Sequence, residues 1–108
     1  MAGHTKLRFS SQGLILGVIM AATSAFAADP GNGLRLAQRW CEACHVVTPT
    51  QRRAATDQAP PFATIAKTTD FDAAKLALFL LDPHPKMPDM GLSRSDAADL
   101  ASYIATLK

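Results

Sequence analysis

The residues with the clearest chemical potential are the two cysteines and the histidine of the pentapeptide Cys41-Glu42-Ala43-Cys44-His45. The chain of 108 residues contains no other cysteine. Positions i and i+3 of a helix lie on one face, so both thiols would point the same way and the imidazole would follow within the same turn. Two thiols and an imidazole in this order could form a disulfide, act as a redox dithiol, bind zinc or attach a porphyrin.

Residues 1–27 have the build of a cleavable secretory signal peptide. Lys6 and Arg8 precede an apolar stretch from Leu14 to Met20, and small residues end the segment at Ala25-Phe26-Ala27. This order predicts export and cleavage between Ala27 and Ala28. An uncleaved membrane anchor is the alternative, but roughly 15 apolar or small residues are fewer than the 20 or so that span a bilayer core. We therefore expect a functional domain of residues 28–108 in the periplasm, without a stable membrane span.

Removal of the signal segment changes the charge of the protein. The full chain has 11 basic and 9 acidic residues, and residues 1–27 contain two of the basic ones and none of the acidic ones. The remaining 81 residues therefore carry no formal net charge, and no nucleic-acid partner is expected. They should form one domain, whose core is modest unless a cofactor helps to fill it. In an oxidising compartment a free Cys-x-x-Cys pair would also form a disulfide unless it has another use.

Apolar residues recur at helical spacing in four segments of the mature chain. The predicted helices run from Gly33 to Cys44, from Phe62 to Ala66, from Asp72 to Leu81 with an N-cap at Thr69 or Asp70, and from Ser93 to Leu107. The third is apolar nearly all round, so we expect it to be largely buried. Ser93 and Asp96 form a variant capping box at the start of the last. No alternating strand pattern appears, which predicts an all-α domain.

Three of the four uses of the cysteine motif lack the context that they need. A thioredoxin-type dithiol is expected beside a βαβ pattern, and no strand is predicted. A structural zinc site needs four ligands, but beyond His45 the mature chain offers only His84. A disulfide between Cys41 and Cys44 would close a small loop that stabilises little. In an exported protein the motif therefore favours covalent attachment of a c-type haem, with His45 presented to the iron.

A second axial ligand for the iron is available in a proline-rich loop. The mature chain has two methionines, Met87 and Met90, and both lie in Asp82–Gly91, which contains three prolines and should be extended and stiff. Methionine paired with histidine is the ligation that raises the reduction potential in cytochromes c. A stiff loop would lower the entropic cost of holding so weak a ligand.

Over residues 33–108 the chain resembles the class I c-type cytochromes, in particular small exported bacterial members with one haem. Gly33 resembles the family glycine at which the N-terminal helix lies against the C-terminal helix, and the segment from Leu100 to Tyr103 resembles the partner surface. The resemblance implies a cytochrome c-like fold of three to four helices around one covalently attached haem. In that fold the N- and C-terminal helices cross.

The resemblance also implies roles for individual residues. Ala59-Pro60-Pro61-Phe62 is similar to the family segment that surrounds the haem and in which a proline carbonyl, here that of Pro60, accepts a hydrogen bond from the axial imidazole. Lys86-Met87-Pro88 is similar to the axial-methionine segment, which makes Met87 the expected ligand and Met90 the fallback.

Three features fit the family pattern less closely. The only tryptophan, Trp40, precedes Cys41 and is expected to pack on the N-terminal helix instead of near a haem propionate. Arg52 and Arg53, in a predicted exposed loop from Thr48 to Ala59, are candidate propionate partners. His84 is expected to be a surface residue.

The function implied is electron transfer between redox partner proteins, such as a dehydrogenase, an oxidase or a reductase, and no catalytic residue is expected. Two alternatives remain open. The chain could be the haem-bearing electron-acceptor subunit of a periplasmic dehydrogenase, or a haem enzyme or gas-binding module in which neither methionine stays bound.

Overall fold

The computed structural model describes residues 1–4, 17, 27–52, 59–82 and 86–108. Every element in these ranges is a helix, which confirms the all-α prediction: α1 (Pro30–Trp40), α2 (Phe62–Ala66), α3 (Ala73–Leu81) and α4 (Arg94–Ala105). Most of the predicted signal peptide lies outside the described residues, as do Arg53 and His84. No helix within the described ranges has the length and hydropathy to cross a membrane.

Helix α1 begins three residues earlier than predicted. Asp29 is its N-cap, with a side-chain oxygen that accepts from the backbone N–H groups of Gly31 at 2.8 Å and Asn32 at 3.1 Å. Pro30 occupies the first turn, where its missing N–H costs nothing. The predicted start at Gly33 was therefore wrong, because Asp29-Pro30 is an N-cap followed by a favourable first residue.

Helix α1 also ends earlier, at Trp40. Cys41 is the C-cap, and the chain continues through Cys44 as a turn. The backbone N–H of His45 still donates to the carbonyl of Cys41 at 2.8 Å. The cysteine motif therefore lies on a tightened turn at the end of α1 and not within the helix.

Helix α3 corrects two predictions. Its N-cap is Asp72, which accepts from the N–H of Lys75 at 3.0 Å, whereas Asp70 has a φ of 62° and precedes the helix. None of its residues is fully buried, and Leu78 and Phe79 are 64% and 56% exposed. The expectation of a buried helix was wrong because α3 packs on α4 with only part of its surface.

Helix α4 is the central element, since each of the other three helices packs on it. It begins with the predicted capping box, in which Ser93 and Asp96 each accept from the other's backbone N–H. The apolar residues at helical spacing in this segment face the core: Ala97, Leu100, Ala101 and Ile104 are buried, and Leu107 is half-buried. The core around α4 consists of Ala37, Cys41, Val47, Phe62, Ala66, Leu100, Tyr103 and Ile104.

The crossing of α1 and α4 has no room for a side chain at Gly33. A Cβ at this position would lie 2.6 Å from the carbonyl carbon of Asp99 and 2.8 Å from Cβ of Tyr103. The Asp99 carboxylate, 8% exposed, accepts from the Asp29 N–H at 2.7 Å and from the Asn32 side-chain amide at 2.8 Å. Glycine and a satisfied buried carboxylate thus hold the start of α1 against α4.

The Gly33→Ala substitution should lower the free energy of unfolding by about 2 kcal/mol, because overpacking outweighs the gain of about 1 kcal/mol in helix propensity. Chemical denaturation of the native protein measures this. Gly31→Ala is the matched control on the same helix, since its Cβ would meet only two exposed side chains, those of Asp29 at 3.1 Å and Arg35 at 4.0 Å. Equal stability changes in the two variants would contradict the role of the crossing.

Candidate cofactor site

A cavity of about 460 Å³ lies between the turn that follows α1, helices α3 and α4, and the loop before α4. This volume is within the usual range for small-molecule sites. The cavity is lined by every residue that the sequence predicts as a haem attachment site, an iron ligand or part of the haem surroundings: Cys41, Cys44, His45, Pro60, Phe62, Met87 and Met90. Leu76, Phe79 and Leu80 of α3 and Leu100 and Ile104 of α4 supply much of its apolar wall. The lining is suited to a large apolar ligand.

The two cysteines differ in their surroundings. Cys41 is 5% exposed and belongs to the core, Cys44 is exposed, and both thiols are free. Burial raises the pKa of the Cys41 thiol to about 11, with a smaller contribution from the nearby Cys44. A redox dithiol requires a lowered thiol pKa, so the structure gives no support to that use. Within the described ranges, no group of three or more His, Cys, Asp or Glu side chains could hold a metal ion.

The imidazole of His45 is oriented by the segment that precedes α2. Its Nδ1 lies 2.7 Å from the carbonyl oxygen of Pro60, and its ring centroid lies 5.2 Å from that of Phe62. A carbonyl can only accept, so Nδ1 must donate, and in the neutral ring the lone pair is then on Nε2. The contact is the one that the family resemblance implies for Pro60, and it leaves Nε2 available as a metal ligand.

The backbone that leaves the cysteine motif is held by residues from other parts of the chain. The carbonyl of Val46 accepts from the N–H of Phe62 at 2.9 Å, and the carbonyl of Val47 accepts from the hydroxyl of Tyr103. Tyr103 is buried, which raises the pKa of its phenol. Gln51 also contacts this segment. Sequence reasoning did not assign these contacts to Tyr103 or Gln51, because each joins residues whose proximity depends on the fold.

Both methionines of the proline-rich loop are half-buried and line the cavity. Lys86, which directly precedes Met87, has a φ of 74°, a left-handed conformation that is uncommon outside glycine. Gly91 has a φ of 62°, and its N–H donates to the Asp89 side chain at 2.9 Å. The loop between these two turns carries the two sulfur atoms to the same cavity, so either methionine remains a candidate ligand.

Trp40 lies away from its expected place, and Arg52 lies in an exposed position, as the predicted loop implies. Trp40 is 45% exposed and lines the cavity instead of packing along α1, and the guanidinium of Arg39 stacks on its ring with 4.8 Å to the centroid. Trp40 is the last residue of α1 and directly precedes the cysteine turn, which also lines the cavity. Arg52 is exposed and does not line the cavity.

Comparison with known proteins gives one close relative. The chain is 53% identical over 95 residues to cytochrome c-552 of Bradyrhizobium diazoefficiens, which covers 88% of this chain and 90% of the relative. No family model matches the chain, and no solved structure matches it significantly.

The Tyr103→Phe substitution should lower the free energy of unfolding by about 1–2 kcal/mol, because it leaves the buried carbonyl of Val47 without its donor while the ring stays in place. Denaturant unfolding of the native protein measures the change. Stability equal to that of the unsubstituted protein would show that the hydrogen bond from Tyr103 to Val47 does not stabilise the fold.

Proposed function

The chain belongs to the c-type cytochromes, and on that premise we propose that it is an exported electron carrier of the periplasm in which His45 and Met87 ligate the haem iron. The family implies haem c, covalently bound, as the cofactor. The observation that carries the residue assignments is the convergence of Cys41, Cys44, His45 and Met87 on one apolar cavity.

The residues that would hold the haem divide into two groups. Cys41 and Cys44 would supply the thiols for two thioether bonds, and both line the cavity together with His45. Apolar side chains from α3 and α4 line the same cavity and would exclude water from the haem. When bound, haem c supplies an iron that cycles between Fe(II) and Fe(III).

His45 has its donor properties set by Pro60. The Nδ1–H group donates to the Pro60 carbonyl at 2.7 Å, which fixes the tautomer and raises the basicity of Nε2. A more basic ligand favours the ferric state. The thioether of methionine favours the ferrous state and raises the reduction potential. As iron ligands, His45 and Met87 would therefore act in opposite directions on this potential.

Met87 is favoured over Met90 as the second ligand because of its surroundings in the sequence. It lies between Lys86 and Pro88, and the left-handed backbone at Lys86 turns the chain immediately before it. Met90 lines the same cavity and is the alternative. If His45 and a methionine both ligated the iron, no coordination site would be left for a substrate, and the haem would serve electron transfer and not catalysis at the iron.

The Met87→Ala substitution should abolish the weak near-infrared band of sulfur-to-iron coordination in the ferric protein and allow the ferrous protein to bind carbon monoxide. Met90→Ala is the matched control and should leave both properties unchanged. Optical spectra of the purified holoproteins measure them.

The reverse pattern in these spectra would assign Met90 as the ligand. Absence of the band from the unsubstituted protein, together with ready binding of carbon monoxide, would favour a haem enzyme or gas-binding module with an open distal site.

Mass spectrometry of the protein from a host with haem-attachment machinery should show residues 28–108 plus one haem, because the signal peptide directs cleavage after Ala27 and both thiols bond to the porphyrin. The Cys41→Ala/Cys44→Ala variant is the control and should carry no covalent haem. A mass that retains residues 1–27 would favour a membrane anchor.

Stable co-purification with a dehydrogenase from periplasmic extract would favour a tightly bound subunit over a diffusing carrier.

A further inference from the structure

The side chain of Gln51 joins two backbone groups that follow the cysteine motif. Its Nε2 donates to the carbonyl of His45 at 2.9 Å, and its Oε1 accepts from the N–H of Val47 at 2.9 Å. A longer contact of 3.4 Å joins Nε2 to the carbonyl of Glu42. The donor and the acceptor of one side-chain amide are therefore both hydrogen-bonded to the backbone at and just after His45.

These backbone groups lie beyond the helix that precedes them. Helix α1 ends at Trp40, so its hydrogen-bond ladder does not extend to the carbonyl of His45 or the N–H of Val47. Unpaired backbone groups away from water are costly, and a side chain with both a donor and an acceptor can satisfy one of each. The N–H of Gln51 donates to the carbonyl of Thr48 at 3.2 Å, which turns the loop back so that the side chain reaches this segment.

Bonds on both sides of His45 then restrict its position. On one side its ring donates to Pro60 at 2.7 Å, and on the other its carbonyl is held by Gln51. A shift of the His45 backbone would carry the ring with it and lengthen the bond to Pro60. Tyr103 and Phe62 hold the neighbouring carbonyls of Val47 and Val46, so Gln51 is the side chain that acts on the carbonyl of His45 itself.

We propose that Gln51 is a positioning residue for the axial histidine, which keeps the His45 ring in its hydrogen bond with Pro60 and thereby holds down the reduction potential. This inference rests on the proposed role of His45 as an iron ligand. A longer bond to Pro60 makes Nε2 less basic, and a less basic ligand stabilises the ferric state less. Loss of the Gln51 contacts must therefore raise the potential.

The test compares Gln51→Leu and Gln51→Glu with the unsubstituted holoprotein, with Gln38→Leu at an exposed position of α1 as the matched control. Leucine removes both hydrogen bonds at similar size. An ionised glutamate keeps the acceptor for Val47 but loses the donor for His45. The readouts are the potential from redox titration and the NMR exchange rates of the Val47 amide proton and the His45 Nδ1 proton.

Gln51→Leu should raise the potential and speed exchange at both protons, by about tenfold for the Val47 amide, as expected for the loss of one hydrogen bond. Gln51→Glu should speed exchange of the His45 Nδ1 proton while the Val47 amide stays slow; the exchange rates are its readout, because its added negative charge by itself lowers the potential. Gln38→Leu should match the unsubstituted protein in all three readouts.

The inference is overturned if Gln51→Leu keeps the original potential and Nδ1 exchange rate, even when its stability falls, since a merely structural residue would do the same. If Gln51→Leu fails to mature, an unchanged exchange rate of the His45 Nδ1 proton in the nearly isosteric Gln51→Glu overturns it. Failure of the proposed His/Met ligation is distinguishable, because the near-infrared band would then be missing from the unsubstituted protein.

Discussion

The backbone contact of Gly33 with Asp99 fixes α1 on α4, and the position of the site depends on it. The helix α1 continues from Gly33 at this crossing to Trp40, where it ends. The position of the turn with Cys41, Cys44 and His45 relative to α4 therefore depends on the crossing. A side chain at the crossing would push the helices apart and move that turn away from Leu100 and Ile104, which line the same cavity. One residue without a Cβ therefore determines where the cofactor-binding turn meets the core.

Polar groups near the core are satisfied by side chains from distant parts of the chain. The Asp99 carboxylate accepts from the start of α1, while Tyr103, four residues later on α4, donates to Val47 after the end of α1. Together they attach the start of α1 and the segment after the cysteine turn to one helix. The protein thus stabilises the surroundings of His45 by hydrogen bonds that also hold the helices together, and a change at either end is expected to affect both stability and site geometry.

The sequence predicted elements well where local chemistry is sufficient. The α4 capping box depends on Ser93 and Asp96 alone and is confirmed, as is the short helix after Pro60-Pro61. The start of α3 was misplaced because Thr69, Asp70 and Asp72 can all act as caps, and only the left-handed backbone at Asp70 excludes it. The predicted attachment and ligand residues all line the cavity, yet the contacts of Gln51 were missed, because a glutamine in a polar loop has no spacing that identifies its partners.

The composition of α3 is explained by the cofactor more than by helix packing. A helix that packs on one neighbour needs a single apolar stripe, but α3 is apolar nearly all round. Part of it packs on α4, while Leu76, Phe79 and Leu80 line the cavity, where the faces of a haem are the natural apolar partner. Phe79 is 56% exposed in the polypeptide and still lines the cavity. In a domain this small, side chains that would otherwise form a core among themselves would enclose the haem if it binds in this cavity.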